Sequence, residues 1–241
     1  MKSVLTAVAF LTRIPVPRAV FSGGSPASAQ TPSLTRATWA FPAVGVMIGL
    51  VVAGSLVLLE DRPLVGVWLA FALWVVITGG LHLDGLADVA DGLGGAHRDR
   101  TRFLQVAKDP HIGGYGASAI VVQLISTVLL LLAVAPEHYW AVVLVPAWAR
   151  WTAVLTPVLV PALGDGMAAR MGRRHRLAAV IWALVLAAAS LWLAPALLVA
   201  AAIGPLIAGF WRLKLGGFNG DCLGAGITVC ETGLLLALAV T

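Results

Sequence analysis

Acidic residues are scarce in this chain. Only 11 of its 241 residues are Asp or Glu, and charged residues of both signs make up 11% of the sequence. Soluble globular domains carry about 25% charged residues, whereas this chain is 60% hydrophobic and has a mean hydropathy of +0.95. The composition therefore excludes an ordinary water-soluble domain and predicts a polytopic membrane protein.

Cysteine is nearly absent as well. The two cysteines, Cys222 and Cys230, are eight residues apart within one predicted span, where their side chains cannot approach each other along a helix. We therefore expect both to pack in the interior, with neither a disulfide framework nor a zinc site. The sequence also lacks the stripe of basic and aromatic residues typical of nucleic-acid binders, so no nucleic-acid partner is expected.

Long apolar runs replace these missing features. Runs of about 20 apolar residues can cross a bilayer of about 30 Å, and they predict an all-α helical bundle of about seven transmembrane helices. The whole chain, residues 1–241, forms a single integral membrane domain in this prediction. The predicted spans lie near residues 38–59, 64–83, 114–135, 139–161, 177–194, 195–211 and 222–240. The boundary between the fifth and the sixth is the hardest to define.

The basic residues predict the orientation of these spans. Cytoplasmic loops near membrane segments carry an excess of Lys and Arg, and a cytoplasmic N-terminus leaves only Arg62 outside, with Arg150 inside a span. The other bases then all lie on the cytoplasmic side: Lys2, Arg13, Arg18, Arg36, Arg98, Arg100, Arg102, Lys108, Arg170, Arg173, Arg174, Arg176, Arg212 and Lys214. We therefore expect a multi-pass protein of the cell membrane with affinity for the lipid bilayer and for anionic substrates.

Residues 1–36 are predicted to form an interfacial segment. The apolar stretch Met1–Leu11 is too short to span and lacks a signal-peptide cleavage pattern, so we expect a surface helix that ends at Pro15 and Pro17. Residues 21–35 are rich in Ser, Gly, Pro and Ala, which predicts a loop.

Three of the few aspartates follow the second predicted span. Asp84, Asp88 and Asp91 are spaced by four and three residues, which puts them on one face of a helix. Mutual repulsion would raise their pKa values unless a cation compensates, and hard oxygen ligands favour Mg²⁺ or Mn²⁺. Because Mg²⁺ is often completed by substrate phosphates, residues 84–112 predict a cytoplasmic-face acidic motif that binds a pyrophosphate. The alternative is a solvated turn that leaves the membrane.

A second polar segment, residues 215–225, leads into the last span. Asp221 opens that span at the membrane face predicted for Asp84, and Glu231 lies inside it. An ionisable residue at membrane depth costs at least about 2.5 kcal/mol, so Glu231 is a functional candidate. The alternative is a protonated Glu231, or one paired with Arg150 of the fourth span.

Two further features have both a structural and a functional interpretation. His82 precedes Asp84 by two residues and turns away from the aspartate face of a regular helix, so a structural and a catalytic role both stay open. The glycine-rich turn His111–Gly116 begins the third span after several bases. The positive-inside bias explains those bases, and the alternative is that this helix start binds a phosphate.

Several motifs, in this order, resemble the cobalamin synthase family, also called adenosylcobinamide-GDP ribazoletransferase. The matching pieces are residues 10–18, 41–45, 79–92, 108–116 and 216–225. The resemblance runs end to end, and the aspartate motif is its most specific part. Two positions depart from the family pattern: Asn219 stands where Thr is common, and Thr228 where an acid often precedes the Glu that matches Glu231.

The resemblance implies an integral membrane enzyme that joins adenosylcobinamide-GDP to alpha-ribazole or its 5'-phosphate, releases GMP and requires Mg²⁺. The implied catalytic and metal-binding residues are Asp84, Asp88, Asp91 and Asp221. Either Asp88 or Asp221 would accept the proton of the attacking hydroxyl. The implied substrate-binding residues are His82, Arg102, Lys108, Arg150, Gly217, Asn219 and Gly220.

Other functions are weighed against this one. A CDP-alcohol phosphotransferase also places aspartates at a membrane surface, but Asp84-Gly-Leu-Ala-Asp88 lacks its Asp-Gly-x-x-Ala-Arg pattern. An ion-coupled transporter would line a path with Asp84, Arg150 and Glu231, yet the chain has no internal repeat. A structural scaffold would leave the aspartate clustering unexplained, and the formation of a homo-oligomer is left open.

Overall fold

Helices form the regular structure of the protein. The computed structural model describes residues 2–17, 34–95, 99–107, 109–164, 171 and 175–241. The α-helices are α1 (Lys2–Leu11), α2 (Leu34–Ala37), α3 (Phe41–Leu58), α4 (Pro63–Thr78), α5 (Leu81–Gly95), α6 (Arg100–Val106), α7 (Gly114–Ala133), α8 (Leu144–Leu159), α9 (Arg176–Leu193), α10 (Ala200–Leu215) and α11 (Gly220–Ala239). Short 3₁₀ segments, Thr38–Ala40, Pro136–Val143 and Pro195–Val199, precede α3, α8 and α10. Within the described ranges the only extended pairing is a parallel bridge between Ala162 and Phe218, so the all-α prediction is confirmed.

Six helices of the described chain are long and apolar enough to cross a membrane. They are Thr38–Leu58, Gly114–Ala133, Pro136–Leu159, Arg176–Leu193, Pro195–Leu215 and Gly220–Ala239. Each lies close to a predicted span. The fifth and sixth predicted spans are separate helices because Ala194 adopts an extended conformation directly before Pro195.

The second predicted span, residues 64–83, ends earlier than expected. Gly79 and Gly80 have φ values of 61° and 69°, a left-handed conformation that ends α4 at Thr78. Helix α5 then leaves at 80° to α4, and the two helices count as a seventh span only when taken together. We take α4 as the membrane-crossing part and α5 as the part outside the membrane, because α5 carries three aspartates.

Helix α8 lies at the centre of the bundle. In the span that contains α8, 89% of the residues are buried in the protein, against 17% in the spans of α7 and α9. Helix α8 packs against α3, α9, α10 and α11. The exposed apolar faces of α7 and α9 are typical of helices that contact lipid.

The N-terminal segment forms a helix that ends at Leu11, before Pro15, as predicted. Its Ala7 and Leu11 side chains are buried in the core, and the helix packs against α3. The loop predicted over residues 21–35 falls mostly on residues 18–33, which lie outside the described residues. Its last two positions are instead part of α2, which begins at Leu34.

Candidate functional site

Helices α5 and α11 cross with very little space between their backbones. A Cβ atom added at Gly85 of α5 would lie 3.0 Å from the carbonyl oxygen of Asp221, and one added at Gly224 of α11 would lie 3.4 Å from the Cα of His82. Glycines at such a crossing let two helices approach closely. The contact sets Asp84 and the rest of the aspartate motif beside the start of α11.

The carboxylates at this crossing interact electrostatically. Burial and, after it, the negative charges of Asp221, Asp84 and Asp91, in that order of importance, together raise the pKa of Asp88 to about 6. Like charges that share a small region disfavour ionisation of one another. The repulsion predicted from the spacing of the aspartates is therefore confirmed for Asp88, and it extends to Asp221 on another helix.

Asp91 accepts two backbone hydrogen bonds that the sequence did not reveal. Its Oδ2 accepts a hydrogen bond from the backbone N–H of Gly113 (2.7 Å), and its Oδ1 accepts one from the N–H of Gly116 (2.8 Å). These N–H groups lie at the start of α7, where a helix has unpaired donors and a positive dipole end. In this structure the anion at the glycine-rich turn is the Asp91 carboxylate.

The donor chemistry of the site is suited to Mg²⁺. Among the described residues, no three His, Cys, Asp or Glu side chains are arranged to hold a metal ion by themselves. Mg²⁺ is commonly held by one or two carboxylates, with water and substrate phosphates completing its shell. Asp84 is exposed and Asp88 is partly exposed. Burial and then the neighbouring carboxylates raise the pKa of Asp88, and a bound cation would favour its ionised form. The residues therefore fit a cation that is shared with a substrate.

Asn219 orients Asp221 at the start of α11. The Asn219 side chain caps the helix by accepting a hydrogen bond at Oδ1 from the backbone N–H of Cys222 (2.9 Å). Its Nδ2 donates a hydrogen bond to Oδ2 of Asp221 (2.8 Å). Asn219 therefore lies in the site as a positioning residue for the carboxylate, which explains why a capping residue is needed at this position.

Gly217 lies apart from the carboxylates. It is buried, and a Cβ added there would lie 2.7 Å from the carbonyl oxygen of Pro161 and equally close to the side chain of Leu163. The neighbouring Phe218 exchanges backbone hydrogen bonds with the same segment. Gly217 thus packs the α10–α11 connection against the chain that follows α8.

A cavity of about 330 Å³ opens beside the aspartates. It is called the larger cavity here to distinguish it from a cavity of about 40 Å³ that shares two of its lining residues, although an apolar pocket elsewhere on the described chain, at about 490 Å³, exceeds both. Arg13, Asp84, Gly220 and Asp221 lie at its polar part. Its apolar lining includes Phe10, Leu11, Phe41, Ala153, Leu223 and Ile227. The structure thus places two of the predicted carboxylates and Gly220 at the edge of a largely apolar cavity.

A second, smaller cavity of about 40 Å³ lies deeper and is bordered by Trp74, Gln123 and Glu231. Thr78 and His82 border both cavities. His82 is buried, and its Nε2 has no hydrogen-bond partner among the described residues. The carbonyl oxygen of His82 accepts a hydrogen bond from Oγ1 of Thr228 (3.2 Å), which ties α5 to α11.

Arg150 is fully buried and pairs with Glu231, its Nη1 donating a hydrogen bond to Oε1. The pairing foreseen as the alternative for Glu231 is therefore confirmed. Arg150 and Glu231 lie in the core, whereas Asp84 is exposed at the larger cavity. The three residues do not line one path, which removes the main support for a transporter.

Of the two bases predicted to bind phosphate, Arg102 lies within the described residues. Arg102 is exposed on α6, and its backbone N–H donates to Oδ1 of Asp99 (3.3 Å) in the N-cap of that helix. Helix α6 packs against α5 through Phe103. Lys108 lies outside the described residues.

Cys222 and Cys230 are both free and buried, as predicted.

Sequence reasoning missed the contribution of the N-terminal segment to the cavity. The backbone N–H of Arg13 donates to the carbonyl of Ile77 (2.7 Å), which brings the segment after α1 to the end of α4. Phe10 and Phe41 stack with ring centroids 5.7 Å apart and an interplanar angle of 16°. Residues 10–18 and 41–45 are two of the motifs on which the family resemblance rests, and they could have indicated this contribution. Their residue spacing, however, does not predict a chemical role.

The chain is similar to known proteins along almost its whole length. A family model described as Cobalamin-5-phosphate synthase matches residues 3–239. The chain is 45% identical to an adenosylcobinamide-GDP ribazoletransferase of Laribacter hongkongensis over 249 residues, covering 100% of this chain and 97% of the relative. It is 42% identical to the protein of that name from Novosphingobium aromaticivorans over 257 residues, with 100% and 97% covered. No solved structure matches the chain.

Proposed function

Because the chain belongs to the Cobalamin-5-phosphate synthase family, we propose that it acts as an adenosylcobinamide-GDP ribazoletransferase at the crossing of α5 and α11. It transfers the cobinamide phosphate group of adenosylcobinamide-GDP to alpha-ribazole or its 5'-phosphate and releases GMP. The observation that carries the location is the position of Asp84 and Asp221, from two helices, at the edge of the larger cavity.

In this proposal Asp84 and Asp88 hold Mg²⁺ on the exposed face of α5. What supports this assignment is their exposure and the pKa of Asp88, which burial and then the neighbouring carboxylates raise. Bound there, Mg²⁺ would offset the negative charge of the diphosphate as GMP leaves. Asp91 fixes α5 to the start of α7, since both of its oxygens already accept backbone hydrogen bonds.

Asp221 is the proposed proton acceptor for the ribose hydroxyl that attacks the phosphorus next to cobinamide. It borders the larger cavity, and Asn219 holds one of its oxygens, leaving the other free to face the acceptor. Asp88 does not border that cavity, so it is the weaker of the two candidates for this role. The amide of Asn219 therefore sets the angle at which the hydroxyl meets the carboxylate.

The site faces the cytoplasm in the proposed topology. The support is the distribution of bases: Arg100 and Arg102 lie on α6 next to the aspartate helix, whereas the α3–α4 connection carries Arg62 beside Glu60 and Asp61. Nucleotide substrates are cytoplasmic, so this orientation gives the carboxylates access to them.

The reaction is tested by incubating membranes that contain the protein with adenosylcobinamide-GDP, alpha-ribazole and Mg²⁺, with and without a chelator, and measuring GMP. We expect GMP release that stops when the chelator is added. Asp84→Asn and Asp88→Asn should each lower the rate by at least about 100-fold, in the range seen when electrostatic stabilisation of a transition state is lost.

The matched control is Asp61→Asn, which removes the same charge from an exposed connection far from α5 in sequence. It should retain full activity. GMP release that withstands the chelator would contradict the metal assignment, and full activity of both Asp84→Asn and Asp88→Asn would remove the proposed site.

A further inference from the structure

The lining of the larger cavity combines apolar and polar side chains. Phe10, Phe41 and Ile227 belong to its apolar part, while Asp84, Asp221 and Arg13 belong to its polar part. A site with mostly apolar walls and a few convergent polar groups is the usual form of a small-molecule site. The ligand should therefore have a flat or compact apolar body and one polar end.

The size of the cavity limits how much of a substrate it can hold. Its volume of about 330 Å³ is near the lower limit of small-molecule sites, which range from about 300 to 1,000 Å³. A corrinoid joined to a guanosine diphosphate is several times larger than a drug-sized ligand and cannot enter. A single nucleoside can, because it consists of one two-ring base and one sugar.

The walls match the base of the acceptor. Alpha-ribazole carries a flat, apolar benzimidazole, and the nearly parallel rings of Phe10 and Phe41 offer an aromatic wall to such a base. His82 is also among the residues that border the cavity.

We propose that the larger cavity is the acceptor subsite, in which the base of alpha-ribazole lies among Phe10, Phe41 and Ile227. The ribose hydroxyls then lie at Asp84 and Asp221, and the corrinoid of the donor stays outside the cavity. This inference rests on the proposed function. It assigns the N-terminal segment, through Phe10 and Arg13, to recognition of the acceptor.

The test separates the Michaelis constants of the two substrates. Ala153 and Ala9 border the cavity, the first buried and the second exposed on α1. Ala153→Leu and Ala9→Leu should narrow the cavity and raise KM for alpha-ribazole at least tenfold. KM for adenosylcobinamide-GDP should stay within twofold, and Ala117→Leu, at an exposed position of α7, should change neither.

Equilibrium dialysis of alpha-ribazole against the detergent-solubilised full chain, with chelator present, measures the subsite without catalysis. Binding should weaken at least tenfold in Ala9→Leu, whose exposed position makes misfolding easy to exclude by its unfolding temperature. A rise in KM for the donor alone, an equal rise for both substrates, or unchanged alpha-ribazole binding would overturn the assignment. If the unaltered protein bound alpha-ribazole but formed no GMP, the proposed function would fail while the subsite stood.

Discussion

Arg150 of α8 and Glu231 of α11 form an ion pair inside the bundle. Arg150 is fully buried, and its Nη1 donates to Oε1 of Glu231. Glu231 follows Asp221 by ten residues on the same helix, which is about 15 Å along its axis. The pair therefore fixes α11 against the central helix while the other end of α11 presents Asp221 to the larger cavity.

Breaking this pair should destabilise the protein strongly. Glu231→Leu leaves the Arg150 guanidinium buried without its partner, and the expected cost is about 3–5 kcal/mol. The double variant Arg150→Met with Glu231→Leu should recover much of that loss, because two apolar side chains replace both charges. Thermal unfolding in detergent measures the difference. A double variant as unstable as the sum of the single variants would show that the charges are not coupled.

Gly116→Ala should displace Asp91 from the start of α7. An added Cβ at Gly116 would overlap the Asp91 carboxylate, so the hydrogen bonds that this carboxylate accepts would be lost. An unsatisfied group of this kind costs about 1–3 kcal/mol. Gly114→Ala is the control, because a Cβ there meets nothing within 4 Å. Equal unfolding temperatures for the two variants would argue against the capping role of Asp91.

Mg²⁺ affinity should depend on pH around the pKa of Asp88. Burial and the neighbouring carboxylates raise that pKa to about 6, and a cation binds the deprotonated carboxylate. Affinity should be constant above about pH 7 and fall by about tenfold per pH unit below 6, because one proton competes with the metal. Calorimetric titration of Mg²⁺ into the solubilised protein without substrate measures this. Asp88→Asn should bind more weakly and lose the dependence near pH 6, and an unchanged profile in that variant would refute the assignment.

The bend between α4 and α5 should be sensitive to side chains. Gly80 has a φ of 69°, where an L-residue costs about 1–2 kcal/mol, so Gly80→Ala should lower stability by about that amount. Gly79→Ala should cost more, since its Cβ would also overlap the side chain of Arg13. Gly54→Ala, inside α3 and with no atom within 4 Å of its Cβ, should be neutral or stabilising by up to about 1 kcal/mol. The unfolding temperature should be lowest for Gly79→Ala, higher for Gly80→Ala and highest for Gly54→Ala. Any other order would contradict the left-handed conformation of the two glycines at the bend.

The proposed topology can be read by labelling from each side of the membrane. A membrane-impermeant maleimide added to intact cells should label Arg62→Cys in the α3–α4 connection but not Arg100→Cys on α6. In inverted vesicles the labelling should reverse. The native Cys222 and Cys230 are buried and should stay unlabelled, which keeps the background low. Labelling of Arg100→Cys in intact cells would place α6 and the neighbouring aspartate helix outside the cell, which would contradict the proposed topology.

The sequence predicted most of the architecture because membrane spans are defined by local composition. Predicted span 38–59 corresponds to the helix Thr38–Leu58, and predicted span 222–240 to Gly220–Ala239. The exception is predicted span 64–83. Gly79 and Gly80 lie within its apolar run, and hydropathy alone does not report that two consecutive residues adopt positive φ.

The sequence predicted which residue types form the candidate site, but it did not predict the separate structural roles of the individual aspartates. The spacing of Asp84, Asp88 and Asp91 gave one helix face, and Asp88 does have the raised pKa that carboxylate repulsion requires. The spacing could not show that Asp91 would cap α7, because its partners, Gly113 and Gly116, are 22 and 25 residues away.

What the chain determines by itself is which of its segments are apolar enough to span a membrane and the chemistry of its few acids, because both depend on residues that are adjacent or one turn apart. The tertiary structure alone decided which two carboxylates border the larger cavity, that Arg150 pairs with Glu231, and that Phe10 and Arg13 line the same space as Asp221. Those relationships join segments that are far apart in sequence. The placement of Asp221 beside the aspartate helix also requires Gly85 and Gly224, which let α5 and α11 pack at backbone distance.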